Sequence, residues 1–172
     1  MRASNERLTI LSEAVQAALY EIPDFDDVQR LNYINLTSEE QALMRGRTNL
    51  AVQVHCAIQI GYFKAKHMFF SFDWDEVEVQ DDINFVMQEY FPEQFFHPSP
   101  ITKHQYYAQC HAIASHFGYR MWSKEFEPLL INKREQILRR DISPQFIVIE
   151  LLAFMQEKKI MRPGYTTLQM NG

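Results

Sequence analysis

The sequence predicts a mainly α protein built as two small helical subdomains, the second with a candidate helix-turn-helix-like unit. Three observations lead there. Apolar residues make up 47% of the 172 and aromatic residues 13%, enough to bury a real core in a chain of this length. Only five glycines occur, and no cluster of turn residues recurs at the spacing of an all-β sandwich or barrel. Apolar residues instead return every three or four positions, behind polar residues suited to capping helices.

Ser12 is placed to cap a first helix reaching about Glu21, with Ala14, Val15, Ala18 and Leu19 at helical spacing, and Pro23 ends it. Asp24 opens a second helix in which Phe25, Val28, Leu31 and the Tyr33–Ile34 pair make an apolar face. Acids crowd its first turn, where the helix dipole favours them. Thr37 and Glu40 fit a capping box for a third helix, which Gly46 closes. The run NLAVQVHCAIQIGYFKAK after Thr48 is apolar nearly all round and marks a central helix packed on more than one side, with Gly61 as its weak point. Residues 67–80 then switch to aromatic and acidic clusters. Val77 and Val79 alternate as a short strand would, and the subdomain boundary is placed in this stretch, after residue 74.

Asp81 or Asp82 opens the next helix, through about Phe91, with Ile83, Val86, Met87 and Tyr90 on one face; Pro92, Pro98 and Pro100 then break the chain. Thr102 and Gln105 form a second capping box, Tyr106, Cys110, Ile113 and Phe117 face inward, and Gly118 suits a left-handed cap. Two further helices start at Ser123 or Pro128, and at Ser143 with Pro144 in the first helical position. The expected organisation is a first subdomain over residues 1–74, a second over 75–165, and a truncated following region over 166–172, where Thr166 or Thr167 would cap a new helix.

Composition narrows the function classes. The opening MRASNERLTILSEAVQAALY lacks the unbroken apolar run of a signal peptide, and no stretch reaches the ~18 apolar residues of a spanning helix, so a cytoplasmic protein without a membrane partner is expected. Cys56 and Cys110 are too few for a disulfide framework and read as buried reduced thiols. Net charge is −5, from 17 basic and 22 acidic side chains, which argues mildly against a polyanionic partner. The distribution is uneven. Between Arg120 and Arg140, six basic residues (Arg120, Lys124, Lys133, Arg134, Arg139, Arg140) stand against Glu125, Glu127 and Glu135, a local +3.

Catalytic motifs are missing: no phosphate-cradling glycine loop, paired CxxC, HExxH or GxSxG occurs. His104 and His111 share a helix face but lie about 10 Å apart along the axis, too far for one metal. Cys110 and His111 point about 100° apart, which argues against a Cys–His nucleophile. Asp73, Asp75, Glu76 and Glu78 lack the glycine of a calcium loop and read as a solvated acidic linker. Neither metal nor cofactor is expected. In IASHFGYRMWSKEF, Ala114, Phe117 and Gly118 suit the crowded turn of a helix-turn-helix, although Lys124 and Glu127 stand where its second helix usually shows apolar residues.

Four phrases in order carry a family resemblance. LTILSEAVQAALYEIPDFDDVQRLNYINLTSEEQALM has a short helix, a break and a Y-x-x-L-T phrase before a capped helix; AIQIGYFK follows at Ala57 to Lys64; HFGYR ends a later helix; KKIMRPGYTTLQ closes the series. Together they resemble the N-terminal region of the replicative Tn-three family transposases. The resemblance implies a non-catalytic, sequence-specific DNA-binding module that contacts terminal inverted repeats of double-stranded DNA. The partner would be the catalytic remainder of the transposase, whose Asp-Asp-Glu metal site nothing in this chain matches. Localisation would be cytoplasmic, with the nucleoid when bound.

Positions carried over from the family are Lys64 and Arg120. Charge alone adds Arg45, Arg47, Lys66, Lys103, Lys124, Arg139 and Arg140 as candidates for phosphate contact. The sequence departs from the family on the helix before HFGYR, where Gln109 and Ala114 stand in place of an Arg- or His-bearing face. An assembly module of a transposase, with no direct DNA contact, is the alternative that the acidic first half suits.

Overall fold

A computed structural model describes residues 10–165 and residue 168. Among them the protein is mainly α, with eight α-helices, one 3-10 turn and no strand. The chain divides into two units: residues 22–120 form one, and residues 1–21 together with 121–172 form the other.

In the contiguous unit, α2 (Asp27–Tyr33), α3 (Ser38–Arg45), α5 (Val77–Tyr90) and α6 (Lys103–His116) all pack on α4 (Leu50–Lys66). The central position of α4 follows from its sequence. Every residue from Val54 to Phe63 is buried, so polar members must be satisfied inside: the Gln59 amide donates to the Phe70 carbonyl and its oxygen accepts from the Phe70 amide. Gly61 is a close-approach position, because a Cβ there would lie 2.7 Å from Ile34 Cγ1. The expected weak point of the helix is where α2's end seats against it.

Capping boxes form at Asp26/Gln29, Thr37/Glu40 and Thr102/Gln105. The second helix therefore begins at Asp27, not Asp24. After α6, Gly118 adopts φ 73°, the Gly118 amide donates to Ser115 O at 3.0 Å and the Tyr119 amide to Ala114 O at 2.8 Å, a Schellman stop.

Three expectations are corrected. Val77 and Val79 form the first turn of α5 and not a strand; Val79, Ile83, Val86 and Tyr90 repeat at spacings of four, three and four, and all are buried. That also moves the helix start ahead of Asp81. No division falls after residue 74. Arg30 of α2 donates through Nε to Asp82 Oδ1 of α5 at 2.8 Å, while Tyr62 of α4 donates to Asp82 Oδ2 at 2.7 Å, a buried lock that spans the expected boundary. Arg30 also reaches the Phe25 carbonyl at 2.6 Å and Asp27 at 2.9 Å. Nor is there a helix-turn-helix here: residues 117–123 separate α6 from the next 3-10 turn, longer than the motif's three- or four-residue turn, and α6 and α7 belong to different units.

The second unit contains α1 (Glu13–Tyr20), α7 (Glu127–Leu138) and α8 (Pro144–Glu157). Ser12 caps α1, and the 3-10 turn Lys124–Phe126, capped by Ser123, leads into α7 with Pro128 in its first turn. Both suggested starts thus mark real features. One side of α8 buries Ile147, Leu151 and Met155 with Leu130, Ile137 and Ile160; Val148 packs with Leu11 and Leu168. The two segments are tied by side chains bonded to backbone: Tyr20 hydroxyl to Pro163 O at 3.2 Å, Leu11 amide to Tyr165 hydroxyl at 3.3 Å, and the Arg162 guanidinium to Leu19 O. The caps expected at Thr166 or Thr167 lie outside the described residues. No described helix is long and apolar enough to cross a membrane.

Candidate functional site

The nine basic candidates separate by what the fold does with them. Lys64 Nζ lies 2.6 Å from Glu40 Oε2 and 3.2 Å from Asn35 O. Glu40 is buried and completes the Thr37 capping box, so Lys64 neutralises a carboxylate that α3 needs. Arg45 donates to Tyr90 O at 3.3 Å and lies over the Phe91 ring at 5.3 Å. Arg47 donates to Leu43 O at 3.3 Å, and Lys66 lies over Phe70 at 5.8 Å. These four serve the contiguous unit's own packing. Lys103, Arg120, Lys124, Arg139 and Arg140 are exposed. Arg140 reaches Glu150 at 3.7 Å, an exposed pair of little energetic weight.

Charge differs sharply between the units. Residues 22–120 carry 7 basic and 13 acidic side chains, a net −6; the rest of the chain carries 10 and 9, a net +1. The exposed cations Lys124, Arg139 and Arg140 therefore stand in the unit that repels a polyanion least.

The histidines of α6 do not converge. His104, His111 and His116 are exposed while Cys110 is buried. Burial pushes the Cys56 and Cys110 thiols up to about 12, which keeps both protonated at neutral pH. Among the described residues no group of three or more His, Cys, Asp or Glu side chains is placed to hold a metal ion.

A concave site that the sequence reading missed lies within the contiguous unit. Its volume is about 380 Å³, within the usual range for small-ligand sites. Its walls come from four places: His55 from α4, Phe72 and Trp74 from the segment before α5, Pro100 and Ile101 from the chain before α6, and Lys103, Tyr106 and Tyr107 from α6. The His55 ring stacks on Phe72 at 4.7 Å and meets Trp74 and Tyr106 edge-on at 5.9 and 6.0 Å. Trp74 is anchored by its indole N–H, which donates to Ser99 O at 2.8 Å.

Gln109, one of the two departures from the family pattern, fixes the chemistry of this site. Its amide nitrogen donates to Val52 O at 3.3 Å, which turns its oxygen toward His55 Nδ1 at 2.9 Å. Nδ1 therefore carries the ring proton, and Nε2 is a hydrogen-bond acceptor. Burial lowers the His55 pKa to about 4 despite the Gln109 bond, so the ring is neutral at pH 7. Ala114, the other departure, is buried. One signal could have found the site: Phe70, Phe72 and Trp74 alternate, which in extended backbone turns them to one side, and that stretch reads by composition alone as an acidic linker.

Residues 10–170 match the family described as Domain of unknown function (DUF4158), and the chain belongs to it. No curated protein and no solved structure matches the chain.

Proposed function

We propose that this chain is a DNA-binding module of a replicative transposase, one that reads terminal inverted repeats and performs no catalysis by itself. The observation that carries the reading is the order of four resembling phrases along nearly the whole length, from Leu8 to Gln169. The charge distribution supports it and narrows the contact set. Lys124, Arg139 and Arg140, exposed in the +1 unit, are the phosphate contacts, joined by Arg120; Lys64 leaves the set because Glu40 already holds it.

The test is a mobility-shift titration with terminal-repeat duplex and scrambled duplex across a salt series. The repeat is expected to bind tighter, and Arg139→Ala/Arg140→Ala is expected to reduce the slope of log affinity against log salt by about 2, near 0.9 for each lost contact. Equal affinity for both duplexes, or no shift at low salt, would sink sequence-specific recognition.

A second reading, an assembly module of the transposase without DNA contact, is favoured by one observation. Leu138, Ile142, Phe146 and Ile149 are exposed around the α7–α8 turn, with Ile142 at 81%. Light scattering separates the two: self-association without any affinity for either duplex favours assembly.

A further inference from the structure

We propose that the aromatic cavity of the contiguous unit is a nucleotide subsite, taking one nucleobase among Phe72, Trp74, Tyr106 and Tyr107 and its phosphate on Lys103. The nucleotide can be a free mononucleotide or a base unstacked from a DNA strand; only the second source rests on the DNA-binding reading above.

The cavity's chemistry selects a planar heteroaromatic ring. Phe72, Trp74, Tyr106 and Tyr107 give its walls four aromatic side chains, and every base offers a π-face to such rings. Polar requirements are few and directional. With Nδ1 committed to Gln109, His55 presents Nε2 as an acceptor, which suits a ring N–H or an exocyclic amine and gives nothing to a purely apolar ligand. Asp73 lines the same cavity as a carboxylate acceptor, and Lys103, exposed at the first position of α6, supplies a cation. One charge of each sign suits an amino-bearing ring with an attached phosphate. A quaternary or alkyl ammonium, the other ligand that aromatic walls favour, would meet the Lys103 charge. The neighbouring protein groups are satisfied internally, since Trp74 donates to Ser99 and Gln109 to Val52, so the site stands formed without its ligand.

The chain has two tryptophans, Trp74 and Trp122. In the 172-residue chain carrying Trp122→Phe, fluorescence therefore reports Trp74 alone. We expect saturable quenching by dAMP, with deoxyadenosine binding about tenfold more weakly. Lys103→Ala is expected to lower dAMP affinity to the level of the nucleoside, and Tyr107→Ala to weaken both about fivefold to tenfold. Both residues are exposed, so these variants keep the fold, and circular dichroism checks that they do. An eight-nucleotide single strand of dA that binds tighter than dAMP identifies a strand as the source; equal affinity identifies the free nucleotide. Absence of any saturable response to dAMP or the oligonucleotide overturns the proposal. So does dAMP binding that ignores Lys103→Ala, or quenching by N-acetylphenylalaninamide in place of nucleotide. A duplex mobility shift with Trp74 silent overturns the cavity and spares the DNA-binding reading. A Trp74 response to dAMP with no shift on any duplex does the reverse.

Discussion

In residues 22–120 four helices pack on α4, and the deepest charged group is the Arg30–Asp82 pair bonded also to Tyr62. In the unit made from residues 1–21 and 121–172 the core is mostly aliphatic, and Tyr20, Tyr165 and Arg162 tie its segments together through backbone groups. The first unit closes on nearby chain and commits Arg30, Arg45, Arg47, Lys64 and Lys66 to internal work, leaving Lys103 and Arg120 exposed. The second must bring together segments separated by the whole first unit, a closure whose entropy cost grows only slowly with that separation. Its surface is left with exposed Lys124, Arg139 and Arg140. The buried Arg30–Asp82–Tyr62 bonds thus belong to the first unit, while Lys124, Arg139 and Arg140 stand exposed in the second.

Each unit holds one tryptophan, so the comparison can be broken experimentally: Trp122→Phe leaves a probe of residues 22–120, and Trp74→Phe leaves a probe of the other unit. The largest effect is expected from Arg30→Met, which strands a buried carboxylate and should cost about 3–5 kcal/mol in a urea titration followed at Trp74. If Trp122 reports the same loss, the two units unfold as one and differ in composition only.

Acid comes next. The folded His55 pKa, about 4, lies below its ordinary 6.5, so the unfolded chain takes up a proton first as pH falls. Stability at Trp74 should be intact above pH 6.5 and decline by about 3 kcal/mol as pH drops to 4. His55→Phe should flatten that decline whatever it does to stability at pH 7. An unchanged slope would remove His55 as its cause. The smallest effect is expected in the other unit. Tyr20→Phe deletes the hydroxyl bond to Pro163 and should cost about 0.5–1.5 kcal/mol at Trp122, with no change at Trp74.

Local signals in the sequence translate into structure where one residue acts on its own backbone. Thr37 with Glu40, Thr102 with Gln105, Ser12 and Gly118 all occupy the positions that their chemistry suggests, since a cap needs only the next three or four residues. The error at Val77 and Val79 has the same scale: two residues alternating are compatible with a strand, and only Ile83, Val86 and Tyr90 further on make the helical period visible. Basic side chains were the least legible. Lys64, Arg45 and Lys103 look alike in sequence, yet one neutralises a buried glutamate, one caps a carbonyl against an aromatic ring, and one stands at the mouth of a cavity. Gln109 is illegible for the same reason. Its partner His55 is 54 residues away, and an uncharged polar residue gives no local hint that it sets a tautomer.

The sequence by itself determined that this protein is mainly α, where most of its helices stop and start, and that α4 lies at the centre, because helical period and capping are short-range properties of the chain. Tertiary structure alone decided which charges are available and which are spent, how residues 1–21 join residues 121–172, and that α4, the aromatic segment and α6 enclose a cavity. Most of those outcomes depend on residues far apart in the chain, among them Lys64 with Glu40, 24 positions away, and Leu11 with Tyr165, 154 away, whose meeting is set by the packing of whole elements and not by any window of sequence.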